Sequence, residues 1–358
     1  MTGRGIDQIL PHPAPPQLHE RYMGSALDYV RIAERAHGPI RRPVDFSYVW
    51  GDALEEWQRR KPDVRMVNLE TSVTRSEDYD RKGINYRMSP ENAGCLLAAG
   101  IDCCALANNH VLDWGRAGLI ETLDVLKRHR LKTCGAGRDL REASAPAILE
   151  IPGKGRVLVF ALASPTSGTP LDWAAAADRA GVNVVAELSE SVVDAIAEEI
   201  RQYRRPGDVV IVSIHWGSNW GYEIPREQRR FAHALIDRAD VSIVHGHSSH
   251  HAKGIELYRD RVILYGCGDF LNDYEGITGY EEFRDDLAVM YFANVDAGSG
   301  GLLGLELTPL QIKGFRLNSA SSDDTEWLRD TIERASKEFG TRLQRSVGSR
   351  LKLVLKSA

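Results

Sequence analysis

Cysteine is scarce in this sequence, and the five present, Cys95, Cys103, Cys104, Cys134 and Cys267, make no CxxC pair and are odd in number. That argues against a disulfide framework, and Cys103 and Cys104 sit in an apolar run where they read as small buried hydrophobes of a reducing compartment. Long apolar runs are missing as well. No segment reaches the roughly 18 residues a membrane helix needs, and MTGRGIDQILPHP has no apolar signal core, so the chain as written is expected in the cytoplasm with no membrane segment. An excess of positive charge is also lacking. A net charge of -5 and a pI near 6.1 give no general attraction for nucleic acid or an anionic membrane, so any anionic substrate must be drawn locally by a metal or a few arginines.

Several catalytic signatures are absent too. The Gly135, Ala136, Gly137 turn is no GxGxxG, no Walker lysine follows a strand, and no GxSxG elbow occurs. Cys267 in LYGCGD has no adjacent base and reads as structural. No repeat, low-complexity tract or linker divides the chain. Hydrophobic content of 43% and charged content of 27% are ordinary for a globular protein of this length.

What the sequence does have is histidine, concentrated in VSIVHGHSSHH at 241–251. An alternating apolar run ending at Gly246 predicts a strand that delivers His245, His247, His250 and His251 to the rim of a sheet. Imidazole is the commonest ligand for zinc and related divalent ions, whereas the plainer reading is a polar His-rich turn.

The rest of the chain supplies the sheet. Residues 1–20 are irregular and proline-rich. Helices are expected at 25–37 with Ser25 as cap, at 53–60 opened by Asp52, at 90–99, 115–130, 189–203, 225–238 and 324–339. Strands are expected at 64–69, 101–107, 131–134, 146–151, 157–163, 208–214, 254–258, 261–265, 287–295, 302–317 and 351–355. Residues 164–180, rich in Gly, Pro, Ala and Thr, suit a mobile loop over the site. The whole reads as one α/β domain over 1–358, a two-sheet core with helices outside, closed by a C-terminal helix and strand within 318–358.

Four predicted strand ends share one grammar, an apolar run followed by metal-type ligands. They are Asn68 and Glu70 in VNLET; Asn108, Asn109 and His110 in LANNH; His215 in SIHWG; and His245, His247 and His250 in VHGHSSH. Carboxylate, amide and imidazole together suit a pair of zinc, manganese or iron ions, with Glu70 able to bridge them. Strand ends gather along one edge of a sheet, so the four reinforce one another. Each also has a structural reading: Glu70 as a cap at Thr71, Asn109 satisfying loop backbone, His110 packed on Trp114, His215 stacked on Trp216 or Trp220, Asp269 and Asn272 as turn formers.

The order of these motifs resembles the CapA or PgsA family of capsule synthesis, the poly-gamma-glutamate synthesis proteins. The segments that carry it are NLETSVT, GIDCCALANNHVLDWG, GAG, HWGSNW with PREQRRFAHALID, and VHGHSSHHAKGIELYRDRVILYGCGDF. The family looks like a branch of the calcineurin-like metallophosphatases, which implies a two-sheet β-sandwich flanked by helices (α/β/β/α). It also implies Glu70 as bridging carboxylate, Asn109 and His110 as the asparagine-histidine pair, His215 as the next ligand, and His247 with His250 as the terminal pair. Ser248 and Ser249 replace two residues of the usual GHHPH-like run, and His245 is additional. The family pattern opens with an apolar strand ending in a ligating Gly-Asp, and MTGRGID matches the segment just after that Gly-Asp, with Arg4 at the arginine position. A start codon upstream of Met1, or a first metal site that has lost its carboxylate, would account for that; Asp52 in VWGDAL reads instead as a helix cap.

The resemblance implies metal-assisted hydrolysis in capsule or polyglutamate synthesis. Two ions about 3.5–4 Å apart would hold the attacking hydroxide while His110 protonates the leaving group. Arg4, Asn68, Asn108, Trp216 and Asp269 are the expected contacts to an anionic small-molecule or polyglutamate-type substrate, and other capsule-synthesis proteins are the expected partners. The alternative is a non-catalytic accessory or polymer-binding subunit with a degenerate site.

Overall fold

The computed structural model describes residues 1–355; the last three residues of the 318–358 segment lie outside the described residues. The protein is a mixed α/β structure whose largest sheet runs, edge to edge, Ala147–Ile151, Gly155–Ala163, Val209–His215, Ile243–His247, Arg261–Leu264 and Ile255–Tyr258. The four inner strands are parallel and the two edges antiparallel. A hairpin closes the far edge through Arg259 and Asp260, both left-handed at φ 48° and 59°, as a two-residue turn between right-twisted strands requires.

Period-two alternation gives this sheet two different faces. Leu158, Phe160, Leu162, Val210, Val212, Ile214 and Val244 pack under the helices Glu190–Tyr203 and Arg226–Ala239, against Val193, Ile200, Phe231 and Leu235. The opposite parity, Val159, Ala161, Ile211, Ile243 and Val262, joins the main core. That core also holds a second, parallel sheet of Met66–Asn68, Cys103–Ala105 and Lys132–Cys134. A third sheet is antiparallel and C-terminal, built on Leu287–Val295 and Leu302–Ile312 with Leu317–Ser319, Leu343–Arg345 and Leu351–Leu353.

Several local expectations are met with changes. Ser25 caps Ala26–His37 through its hydroxyl, which accepts from the Leu27 amide at 3.3 Å. Asp52 precedes Ala53–Arg60 but does not cap it. Its carboxylate accepts instead from Ser319 N and Oγ at 2.8 Å each and from the Arg316 guanidinium at 2.8 Å, charge-assisted partners that outcompete a local amide. The helix expected over 90–99 divides into a 3₁₀ turn, Pro90–Ala93, and a short helix, Gly94–Ala98; at Gly94 a Cβ would stand 2.6 Å from the Phe46 ring. Residues 164–180 carry two 3₁₀ turns and are tied down. The Ser164 amide and the Ser167 hydroxyl both donate to the His215 carbonyl, at 2.9 and 3.1 Å, and Trp173 is buried.

The irregular N-terminus hides one ordered piece, the buried turn Arg4–Asp7. The Arg4 guanidinium forks onto Asp273 at 3.1 and 2.6 Å and donates to Glu20 at 2.8 Å and to the Tyr29 hydroxyl at 2.9 Å. It lies between the Tyr29 and Tyr86 rings, 3.9 and 4.3 Å from their centroids. Arg4→Ala should therefore cost about 3–5 kcal/mol in urea unfolding, because two buried carboxylates lose their cation. Arg4→Lys should recover only part of this, since an ammonium cannot fork; equal stability of all three proteins would remove the structural role.

Candidate functional site

The carboxyl ends of the parallel strands converge, and the pairing register decides which side chains meet. Ser213 pairs with His245 and His215 with His247 across two parallel strands, so all four side chains share the face opposite the two helices. His215 Nδ1 stands 2.8 Å from His247 Nδ1, and the Ser213 hydroxyl lies 2.9 Å from both His245 Nδ1 and His247 Nε2. From the second sheet, Asn109 brings its amide oxygen to 3.1 Å from His215 Nε2, and a Glu70 oxygen stands 3.8 Å from the same nitrogen. Four chain segments thus meet at one imidazole.

Each approach has a local cause. Asn68 donates to the Glu70 carboxylate at 2.8 Å and accepts from Asn108 at 3.0 Å, while Asn108 also donates to the Leu69 carbonyl at 3.0 Å and accepts from the His110 amide at 3.1 Å. These amides bolt the Glu70 turn to the Asn109 turn. Asn68 and Asn108, expected at the substrate, are thus engaged in holding the two loops together.

His110 sets its Nδ1 2.7 Å from the Asp113 carboxylate, and the Tyr86 ring stands edge-on at 4.6 Å. Asp113 also accepts from the Tyr86 amide at 2.6 Å, and its other oxygen stands 2.7 Å from the Lys82 ammonium. Lys82 further donates to the Asn109 carbonyl and lies 4.9 Å from the centroid of the Trp173 ring. Asp113 had a signal three residues after His110 in NNHVLDWG; Lys82, on the 74–85 loop, had none.

The electrostatics follow from burial. His215 and His247 are held well below the ordinary imidazole range by burial, reinforced by neighbouring histidines. His110 is lowered by burial and then by Lys82 and Arg4. Burial pushes the Glu70 carboxyl up to about 7, opposed chiefly by His250, and the Asp113 carboxyl up to about 7, opposed by Lys82. His250 behaves differently: burial opposes its charge, but Asp269 at 3.1 and 3.2 Å, with Glu70 behind it, outweighs that and raises its pKa. Asp269 in turn accepts from Asn272 at 2.9 Å.

Some expected residues stand elsewhere. Trp216 is buried with the parity of Ile214, so it lies on the helix face, donates to the Tyr265 carbonyl at 3.0 Å and stacks on that ring. Arg4 has its donors committed in the cluster described above, behind Tyr86. His245 meets the site through Ser213 and His247. His251 turns into an aromatic rim, 4.8 Å from Phe283 and 4.6 Å from Tyr222 between ring centroids; there Trp220 stacks on Tyr280 at 4.1 Å. Among the described residues, no three His, Cys, Asp or Glu side chains stand in a ligating arrangement; the convergence around His215 is completed by an amide.

Fold and site define an α/β protein with an imidazole-, amide- and carboxylate-lined centre at the carboxyl edge of its parallel strands. The chain belongs to the bacterial capsule synthesis protein family PGA_cap, whose model matches residues 1–274. It is 48% identical over 345 residues to a "probable polyglutamine synthesis accessory protein" of Mycobacterium tuberculosis, covering 96% of this chain and 90% of that one. It is 28% identical over 255 residues to the "PGA biosynthesis protein CapA" of Bacillus subtilis, covering 71% of this chain and 62% of that one. The "capsule biosynthesis protein CapA" of Bacillus anthracis matches at 25% over 239 residues, 65% of this chain and 53% of that one. No described helix is long and apolar enough to cross a membrane.

His251 gives a pH test. Burial pushes its imidazole down to about 4 from an ordinary 6.5, and its Nε2 is buried without a partner among the described residues. The unfolded chain therefore takes up this proton first as pH falls, so the stability tied to neutral His251 is present above about 6.5 and is lost toward 4. His251→Phe should lose less Tm than the parent between pH 7 and pH 5; an equal loss would contradict the assignment.

Proposed function

We propose that the protein serves capsule or polyglutamate-type polymer synthesis as a metal-dependent hydrolase with a metallophosphatase-like arrangement of its two parallel sheets. The observation that carries this reading is the meeting of Glu70, Asn109, His215 and His247 from four strand ends at distances of 2.8–3.8 Å around one neutral imidazole. The names of the relatives supply the pathway. Family membership is the ground for carrying those names to this chain.

The donor set fits a borderline divalent ion such as zinc, manganese or iron. Two imidazoles kept neutral by burial, an amide oxygen and a carboxylate are ligand types these ions accept, and Asp269, with His250 once that imidazole gives up its proton, extends the set on Glu70's side. When bound, such ions supply a low-pKa water and neutralise charge on a phosphoryl or carbonyl oxygen. The chain's own groups do the remaining work. Asp113 accepts from His110 Nδ1 and so leaves Nε2 for the substrate. Without substrate, burial and Lys82 keep His110 neutral; an anionic substrate beside it offsets Lys82 and favours the protonated imidazole that a leaving group needs. The bond broken is a phosphoester or an amide of an anionic substrate.

A second reading, a non-catalytic accessory subunit working with other synthesis proteins, is favoured by one observation. The M. tuberculosis relative is named an accessory protein.

Metal analysis with a hydrolysis screen separates the two. After loading with manganese or zinc, His215→Ala and Asn109→Ala should both hold less metal than the parent, and His110→Ala should keep its metal but lose about 10²–10⁴ in rate on a model phosphodiester or γ-glutamyl amide. Unaltered metal content in both ligand variants would remove the enzyme reading.

A further inference from the structure

One polar residue interrupts an otherwise apolar strand. In VVIVSIH, Ser213 is wholly buried, and its hydroxyl spans the gap between His245 Nδ1 and His247 Nε2 at 2.9 Å each. A hydroxyl has one hydrogen to donate, so it donates to one ring and accepts from the other. The direction is set at the far end of the chain of contacts. The Asn109 amide oxygen only accepts, so His215 carries its hydrogen on Nε2 and presents a lone pair on Nδ1. His247 Nδ1, 2.8 Å away, must then donate, which leaves His247 Nε2 to accept from Ser213, and Ser213 to accept from His245 Nδ1.

We propose that Ser213 and His245 are positioning residues for His247: their reversible hydrogen bonds keep its Nε2 partnered when its hydrogen moves there, and so let its Nδ1 turn a lone pair to a divalent cation. This rests on the metal-centre reading above and assigns His245 outside the ligand set. For His247 to offer Nδ1 to an ion, its hydrogen must sit on Nε2 and point at Ser213, whose hydroxyl then turns to donate to His245 Nδ1. His245 correspondingly carries its hydrogen on Nε2. Each imidazole keeps one hydrogen and the hydroxyl keeps one, so the reversal exchanges hydrogens with water without net gain or loss. A serine can reverse in this way; the valine or isoleucine that fills neighbouring positions of the strand would leave His247 Nε2 buried and unpartnered. His245 is half-buried at the start of the relay, and its Nδ1 is engaged by the Ser213 hydroxyl rather than turned to His215.

The test is ¹⁵N NMR of the full histidine-labelled chain, first metal-free and then titrated with zinc. Metal-free, the parent, Ser213→Thr and Ser213→Ala should all show His247 as the Nδ1-H tautomer, because His215, oriented by Asn109, still accepts from it, whereas Asn109→Ala should shift the signal toward an average of the two forms. Zinc should convert the parent's His247 to Nε2-H, and Ser213→Ala and His245→Phe should raise the zinc Kd about 10–100-fold, while Ser213→Thr binds like the parent. Zinc bound by Ser213→Ala and His245→Phe as tightly as by the parent overturns the proposal and leaves the metal-centre reading standing. Should the parent bind no zinc, the metal-centre reading fails and the proposal with it, while the Nδ1-H signal and its loss in Asn109→Ala still check the hydrogen-bond directions.

Discussion

The parallel pairing that sets His215 beside His247 is the constraint from which the site follows. Parallel neighbours in register present the same face, so fixing this one pair also places Ser213 beside His245 and turns all four side chains away from the helices. A slip of one residue would send them into the layer packed under Phe231 and Leu235 and bring Ile214 and Val244 into the cleft. The register is held by apolar matching: Val210, Val212, Ile214 and Val244 fill the helix face, so the burial that stabilises the sheet is the same burial that aims the histidines.

That aim brings an electrostatic consequence. Imidazoles carried at the top of a buried sheet are desolvated, which keeps His215, His247 and His110 neutral and available as lone-pair donors. The charge that remains is placed at the margins. Lys82 faces Asp113 on one side, and His250 faces Asp269 on the other, so the centre stays nearly uncharged between two ion pairs. The second parallel sheet contributes Glu70 and Asn109 only because Asn68 and Asn108 cross-link its two strand-end loops.

Much of this was legible in the sequence. The strand ends LANNH, SIHWG and VHGHSSH announce themselves because an apolar run that stops at a ligand-type residue has few other uses. Period two within VVIVSIH and VSIVHGH already assigns His215, His245 and His247 to the face opposite Val212 and Val244. The same parity was available for Trp216, yet its neighbourhood in HWGSNW suggested a loop contact, whereas it continues the helix face of the strand. Arg4 misled for another reason. A motif match gives a residue type at a position, and only the fold brings Asp273, more than two hundred residues away, onto its guanidinium.

The sequence by itself determined which faces of which strands carry the histidines, where the helices lie and which residue types end each strand, because these depend on local periodicity and local turn chemistry. Tertiary structure decided which ends meet, that Asn109 reaches His215, that Lys82 pairs with Asp113 and that Ser213 links two imidazoles. Those contacts join segments 30 to more than 100 residues apart. Their geometry is set by packing two sheets against one core, a constraint no stretch of the chain carries alone.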